Sequence, residues 1–279
     1  MANRKPSSRP DIATLGGLLL AAGCILGGLV IEGGKLTDIA QITAGMIVLG
    51  GTIGAVMVTT PLKTLIRAAK YLGNVFFEKE ENPQDVIEEV IGYATKARKN
   101  SIISLENDLE NMTDPFLRKA ISLSVDGTDL QELRAMMELD LALQQRSGEA
   151  IAKVYESAGG YAPTIGIIGA VLGLIQVMKH LENIEEVGRG IAVAFVATVY
   201  GVASANLFFL PAANKIKARL RDTLHVKELM LEGVCSIVEG LNPKLIRVKL
   251  EAFAEGESGS HAKAATANAP RGARAALEG

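Results

Sequence analysis

Four apolar runs without Asp, Glu, Lys, Arg or His constrain this chain more than any other feature. They are Ile12–Ile31, Ile39–Leu62, Ala162–Met178 and Gly190–Ala213. A helix rising 1.5 Å per residue needs about 20 apolar residues to cross hydrocarbon about 30 Å thick. The third run reaches that length with Ala158–Tyr161 in front of it. The runs stand two and two around a long polar stretch. The fold class expected is all-α: a multi-pass membrane protein with four transmembrane helices and a helical cytoplasmic domain. Its lipid-embedded part carries no charge of its own, so ion chemistry at mid-membrane must be completed by another chain.

Composition narrows the remaining classes. Of 279 residues, 48% are hydrophobic, which suits membrane spans plus a sizeable soluble portion. A net charge of −2, 4% aromatics and no Trp argue against nucleic-acid binding. Cys24 and Cys235 make neither a metal pattern nor a disulfide framework. Ala21-Ala22-Gly23-Cys24 resembles a lipoprotein cleavage box, but cleavage there would leave Ile25–Ile31, too short to span. The first span is therefore read as uncleaved.

Cations near the spans set the orientation. Arg4, Lys5 and Arg9 precede the first span, Lys63, Arg67 and Lys70 follow the second, and Lys215, Lys217, Arg219 and Arg221 follow the fourth. The other two connections hold less: Lys35 in one, and Lys179 and Arg189 against Glu182, Glu185 and Glu186 in the other. Both termini and the large polar segment are expected in the cytoplasm.

The chain then divides into a basic arm (1–11), spans one and two (12–62), a helical cytoplasmic domain (63–155), spans three and four (156–213), cytoplasmic C-terminal helices (214–253) and a disordered tail (254–279). Glu32-Gly33-Gly34-Lys35 reads as a tight external turn. Lys63, Arg67 and Lys70 recur at helical spacing against Leu62, Leu65, Ile66, Ala69 and Leu72, the pattern of a helix lying at the membrane interface with its cations near headgroups. Asn82-Pro83 and Asp114-Pro115 are helix starts, Asp126-Gly127 a stop, and Thr128 with Gln131 a capping box. Leu241-Asn242-Pro243 breaks the pattern that begins at Lys215.

Several residues carry both a functional and an ordinary reading. Gly23–Gly27, Gly50–Gly54, Gly169–Gly173 and Ala197–Gly201 have the small-xxx-small spacing that lets membrane helices approach closely. Thr198, deep in the fourth run, can bond back to the carbonyl four residues earlier or face a partner's carboxylate. Pro163 and Pro211 stand at matching ends of the third and fourth runs. They are either ordinary helix-end prolines or a paired hinge, since each removes a backbone hydrogen bond. Arg98 and Glu106 fall about 80° apart if one helix carries both; such charges are ordinarily solvated. His180, His225 and His261 lack ligand spacing, and no nucleophile–base pair or phosphate loop is present. An enzyme is not expected, and neither is a cofactor.

Together these residues resemble the flagellar stator family of MotA and its sodium-driven relative PomA. The resemblance runs from about residue 12 to 253. It rests on Lys96-Ala97-Arg98 through Ser104–Asp108, Ala162–Gly166 with Gly169 and Gly173, Val193–Gly201, and Gly240–Pro243 before Phe253. It implies an ion-conducting stator subunit in the bacterial inner membrane, forming a pentamer around a dimer of a MotB-like single-span partner that carries the ion-binding Asp. By the same resemblance Thr198 and Ala170 line the ion pathway, Pro163 and Pro211 form the conformational hinge, and Arg98 and Glu106 contact FliG on the rotor. Sodium-driven members have threonine where this chain has Ala170. A dehydrated cation needs oxygen ligands that a methyl group cannot give, so the expected ion is H+ rather than Na+. The competing readings are an ExbB/TolQ-like energy transducer, which has three spans and begins outside, a stator of another surface-motility machine, and a passive membrane scaffold.

Overall fold

The protein, seen in a computed structural model, is described over residues 9–78, 82–179 and 181–267. In chain order the helices are α1 (Ile12–Ile31), α2 (Leu36–Ile39), α3 (Ile42–Gly45), α4 (Gly51–Thr59), α5 (Leu62–Tyr71), α6 (Gly73–Phe76), α7 (Pro83–Asn100), α8 (Pro115–Val125), α9 (Leu130–Lys179), α10 (Ile184–Ala203), α11 (Leu210–Val238) and α12 (Pro243–Ala267). Two π-helical stretches, Met46–Gly50 and Ser204–Phe209, and one 3-10 helix, Ile102–Asn111, complete the helical elements. Arg9–Pro10 and Phe77–Glu78 form a two-residue antiparallel pair, β1 and β2.

Among the described residues four helical stretches are long and apolar enough to cross a membrane: Ile12–Ile31, Ile42–Thr59, and parts of Leu130–Lys179 and of Ile184–Val238. The second is shorter than its apolar run, because Ala40 and Gln41 leave helical geometry and Thr60-Pro61 ends the helix. Gly33 adopts φ +84° in the turn after α1, a left-handed conformation that glycine takes without a Cβ clash. No residue of α1 is buried within the chain. A helix apolar all round meets lipid or other helices, not water.

The chain forms two compact units. The first comprises Ser7–Lys79 and Gln145–Leu220 and contains the spans. The second comprises Met1–Pro6, Glu80–Gln144 and Arg221–Gly279, so it draws on both the 63–155 and the 214–253 segments. Helices α9 and α11 supply residues to both.

In the polar unit the helix starts are where Asn82 and Asp114 place them. Asn82 accepts from the Gln84 N–H, and Asp114 from those of Phe116 and Leu117. The capping box on Thr128 is corrected: α9 begins at Leu130, and Asp129 accepts from the Gln131 N–H at 3.0 Å. Thr128 instead donates its N–H to Leu123 O and closes α8. Ile87, Leu105, Leu117, Ile121, Leu133, Met137, Leu229 and Leu250 fill one core. The last helix extends past Phe253 to Ala267, so the described part of the segment expected to lack structure is helical. Its alanines are the strongest helix formers. Residues 268–279, like Arg4, Lys5 and His180, lie outside the described residues.

Polar clasps tie the spanning unit together. Asp11 caps α1 through the Thr14 N–H and receives Lys215 at 2.5 Å and Arg219 at 2.7 Å from α11. Its side chain is only 4% exposed, and the Lys215 ammonium above all holds its carboxyl far below the usual carboxylate range. Tyr155 on α9 donates to Ala68 O on α5 at 2.8 Å, and Glu156 pairs with Lys217. Because the folded-state pKa of Asp11 is depressed, its stabilisation is fully present above the ordinary unfolded value of about 3.9. It is lost as pH falls through the lower folded value. Asp11→Asn keeps a cap acceptor but removes the charge. It should destabilise the detergent-solubilised chain at neutral pH by on the order of 2 kcal/mol, and wild type and variant should converge only in strong acid. An unchanged melting midpoint at pH 7 would remove this clasp from the account.

Candidate functional site

The third and fourth spans meet through backbone rather than side chains. A Cβ on Gly201 would lie 2.6 Å from Ala162 O and 3.3 Å from Pro163 Cα. One on Gly166 would lie 2.9 Å from Ala197 O, one on Gly169 2.8 Å from the Ala197 Cβ, and one on Gly173 2.9 Å from Gly190 O. Residues later in α9 meet residues earlier in α10, so the helices run antiparallel. Lipid supplies no hydrophobic drive between helices, and close van der Waals contact over small residues takes its place. Of the spaced small pairs in the sequence, Gly169–Gly173 and Ala197–Gly201 form this seam. Gly23, Gly27, Gly50 and Gly54 meet nothing within 4 Å inside the chain.

The seam fixes what lies beside it. On two antiparallel helices that face each other, an equal step past the contact points to the same side. Ala170 follows Gly169 by one residue and Thr198 follows Ala197 by one, about 100° in each case. Both therefore sit on one flank. Pro163, three residues before Gly166, falls on that flank too. The opposite flank carries Ile165 and Tyr200 and is covered by the second span. A Cβ on Gly51 would lie 2.8 Å from Ile165 Cγ2. The Tyr200 hydroxyl donates to Ile39 O at 2.6 Å and accepts from the Gln41 N–H. Nothing in the chain's composition marked Tyr200 as the clip holding the start of the second span.

On the other flank, Pro163, Ala170 and Thr198 are half-buried, and Ile167, Leu174, Ile191 and Val202 beside them are exposed. The Thr198 hydroxyl donates to Ala194 O at 3.2 Å, the ordinary intrahelical arrangement. Its oxygen lone pairs remain able to accept a bond or meet a cation. No Asp, Glu, Lys, Arg or His belongs to this stretch of either helix.

Pro163 lies inside α9, and its missing N–H leaves the carbonyl of Gly159 without the usual helical donor. A Cβ on Gly159 would in turn meet Leu210, the neighbour of Pro211, at 2.6 Å. The two proline turns therefore adjoin. Before Pro211 the helix widens into the π stretch Ser204–Phe209, where Ser204 and Asn206 side chains donate to Gly201 O and Val202 O. A widened turn beside a proline is where a helix bends.

Arg98 and Glu106 belong to the polar unit and are exposed. The single-helix relation between them is corrected. Helix α7 stops at Asn100, Ser101 takes φ +72° and ψ +157°, and Glu106 lies on the following 3-10 helix. That backbone region is strained for any residue with a Cβ, at about 1–3 kcal/mol. Lys96 closes the break by pairing with Asp108 at 2.6 Å. Lys96 and Asp108 belong to the motif that carries Arg98 and Glu106, and their role is to staple its two halves. Among the described residues no cluster of His, Cys, Asp and Glu is placed to hold a metal.

An antiparallel helix pair, charge-free across its apolar stretch and open on one flank, marks a multi-pass membrane protein. Residues 108–229 match the MotA/TolQ/ExbB proton channel family, and residues 15–100 match Motility protein A N-terminal. Motility protein A of Bacillus subtilis (strain 168) is 36% identical over 244 residues, covering 86% of this chain and 89% of that protein. The structure of C. jejuni MotAB superposes with a TM-score of 0.83 at 31% identity, covering 87% of this chain and 95% of that one. The flagellar MotAB stator complex from Bacillus subtilis gives 0.81 at 33% identity, covering 86% and 94%. The chain belongs to the motility protein A family. It is a multi-pass inner-membrane channel component and not an enzyme.

The seam makes a direct demand on residue size. Gly201→Ala should lower the unfolding midpoint of the detergent-solubilised chain, by about 1–3 kcal/mol as in other over-packed contacts. Gly54→Ala has open space around it and should leave the midpoint unchanged. Equal midpoints for the two variants would contradict the backbone seam.

Proposed function

We propose that this chain is the ion-conducting stator subunit of a bacterial flagellar motor, coupling proton flow to torque on the rotor. The observation that carries this reading is the uncovered, charge-free flank of Pro163, Ala170 and Thr198, in a chain whose relatives include subunits of MotAB stator complexes. A MotB-like single-span partner supplies the Asp that the spans lack, and a pentamer of this chain surrounds a dimer of that partner. Both termini face the cytoplasm, where Arg98 and Glu106 engage FliG. The match of residues 15–100 to Motility protein A N-terminal favours this reading over an ExbB/TolQ-like transducer.

The mechanism follows from where charge is missing. A proton reaching the partner's carboxylate neutralises the only charge inside an apolar sleeve, and its release restores that charge. Each charge crossing supplies about 2.3 kcal/mol per 100 mV, so the states exchanged must lie within a few kcal/mol of each other. The adjoining turns of Pro163 and Pro211, short of backbone hydrogen bonds, keep that gap small. Ala170 contributes only a methyl group and Thr198 one hydroxyl, too few oxygens beside the carboxylate to replace the water of a sodium ion.

In cells lacking their own copy, swimming restored by this chain and its partner should persist without sodium and stop on adding a protonophore. Strict sodium dependence overturns the proton assignment. In the same assay Pro163→Ala or Pro211→Ala should stop rotation at normal membrane abundance, and normal torque from both sinks the hinge. Simultaneous charge reversal at Arg98 and Glu106 should abolish swimming but not ion flow; unchanged swimming removes them from the rotor contact.

A further inference from the structure

Helix α5 leaves the second span at Thr60-Pro61 and presents three distinct faces. At 100° per residue, Leu65, Ala68 and Leu72 form one face about 60° wide. It is directed inward, with Ala68 buried and its carbonyl bonded by Tyr155. Leu62, Ile66 and Ala69 form a second, about 95° away, and it is uncovered: Leu62 is 65% exposed and Ile66 49%. Lys63, Arg67 and Lys70 form the third, within about 60° of one another and centred about 100° from the uncovered apolar face.

The cations on that third face differ from others in the same unit. Lys215 and Arg219 pair with Asp11, and Lys153 and Lys217 with Glu156. Helix α5 itself contains no acidic residue. Among the described residues no carboxylate pairs with Lys63, Arg67 or Lys70, and Arg67 donates only to the Ser147 hydroxyl, at 3.3 Å. Three cations one turn apart beside an uncovered apolar face, on a helix beginning where a span ends, match a surface of hydrocarbon bordered by negative charge.

We propose that Lys63, Arg67 and Lys70 bind the phosphodiester headgroups of anionic phospholipids, with Leu62, Ile66 and Ala69 inserted among the acyl chains. The inserted face anchors the helix, and the cations select the lipid. The lipid-bound helix is tied to α9 by the Tyr155 bond to Ala68 O, and Val56 of the second span packs in the same apolar cluster. The inference depends only on the chain spanning a membrane, and its test reads lipid binding rather than motility, so it fails or stands apart from the stator reading.

The test uses the full-length protein in nanodiscs of phosphatidylcholine mixed with phosphatidylglycerol, measuring by native mass spectrometry which lipids remain bound after release. Wild type should retain phosphatidylglycerol preferentially, with a preference that weakens as salt rises. Replacing all three cations (Lys63→Gln, Arg67→Gln, Lys70→Gln) should reduce that preference on the order of a hundredfold, at about fivefold per cation. The charge-keeping set (Lys63→Arg, Arg67→Lys, Lys70→Arg) should retain it. An undiminished preference in the glutamine set, or none in wild type, overturns the proposal. So does a preference that survives while binding of an acidic partner segment is lost, which would assign the stripe to a protein surface. If the glutamine set does not fold, Lys63→Gln alone and the salt dependence of wild type decide.

Discussion

Backbone contact between α9 and α10 is the constraint from which the rest of the spanning unit follows. Gly201 has no room for a methyl group beside Ala162 O, and Gly173 none beside Gly190 O. Residues pressed this closely fix the rotation of each helix about its axis. Once Gly169 faces Ala197, the sides on which Tyr200, Thr198 and Ala170 emerge are determined. One flank receives the second span through Tyr200, Ile165 and Gly51. The other is left to whatever lies outside the chain. A larger residue in the seam would alter the packing of the span and also turn Ala170 and Thr198 from the open flank.

Polar bonds at the ends of the spans complement this apolar seam. Asp11 joins the start of α1 to α11, Tyr155 joins α9 to α5, and Tyr200 joins α10 to the loop before α3. Each uses a carboxylate or a phenol and a partner across the fold; Asp11 and Tyr155 stand outside the long charge-free stretches, and Tyr200 lies within the fourth. Charge is kept outside the apolar runs, and within them the Thr52 and Thr198 hydroxyls bond inside their own helices while Tyr200 bonds across to the start of the second span.

Much of this was legible in the residues. Charge-free runs of about span length announced four helices, and side-chain caps at Asn82 and Asp114 fell where sequence chemistry put them. The seam was legible as spacing at Gly169–Gly173 and Ala197–Gly201. Spacing alone did not separate it from Gly50–Gly54, because that distinction lies in which partner helix is near. The break at Ser101 was hidden for a different reason: serine gives no warning of a left-handed φ, and the apolar period simply continued through it. The clasps at Asp11 and Tyr200 join residues more than 150 positions apart, and no local pattern reports such pairs. Glu255–Ala267 composition pointed to disorder, yet the backbone is helical as far as the chain is described.

The account stands on the spans providing an insulating sleeve in which a companion chain places the sole carboxylate. The most direct measurement is proton flux into sealed vesicles containing this chain alone, compared with vesicles that also contain its single-span partner lacking any blocking segment. The expected result is no flux above empty vesicles for the chain alone and clear flux with the partner present. Proton conduction by the chain unaided would contradict it.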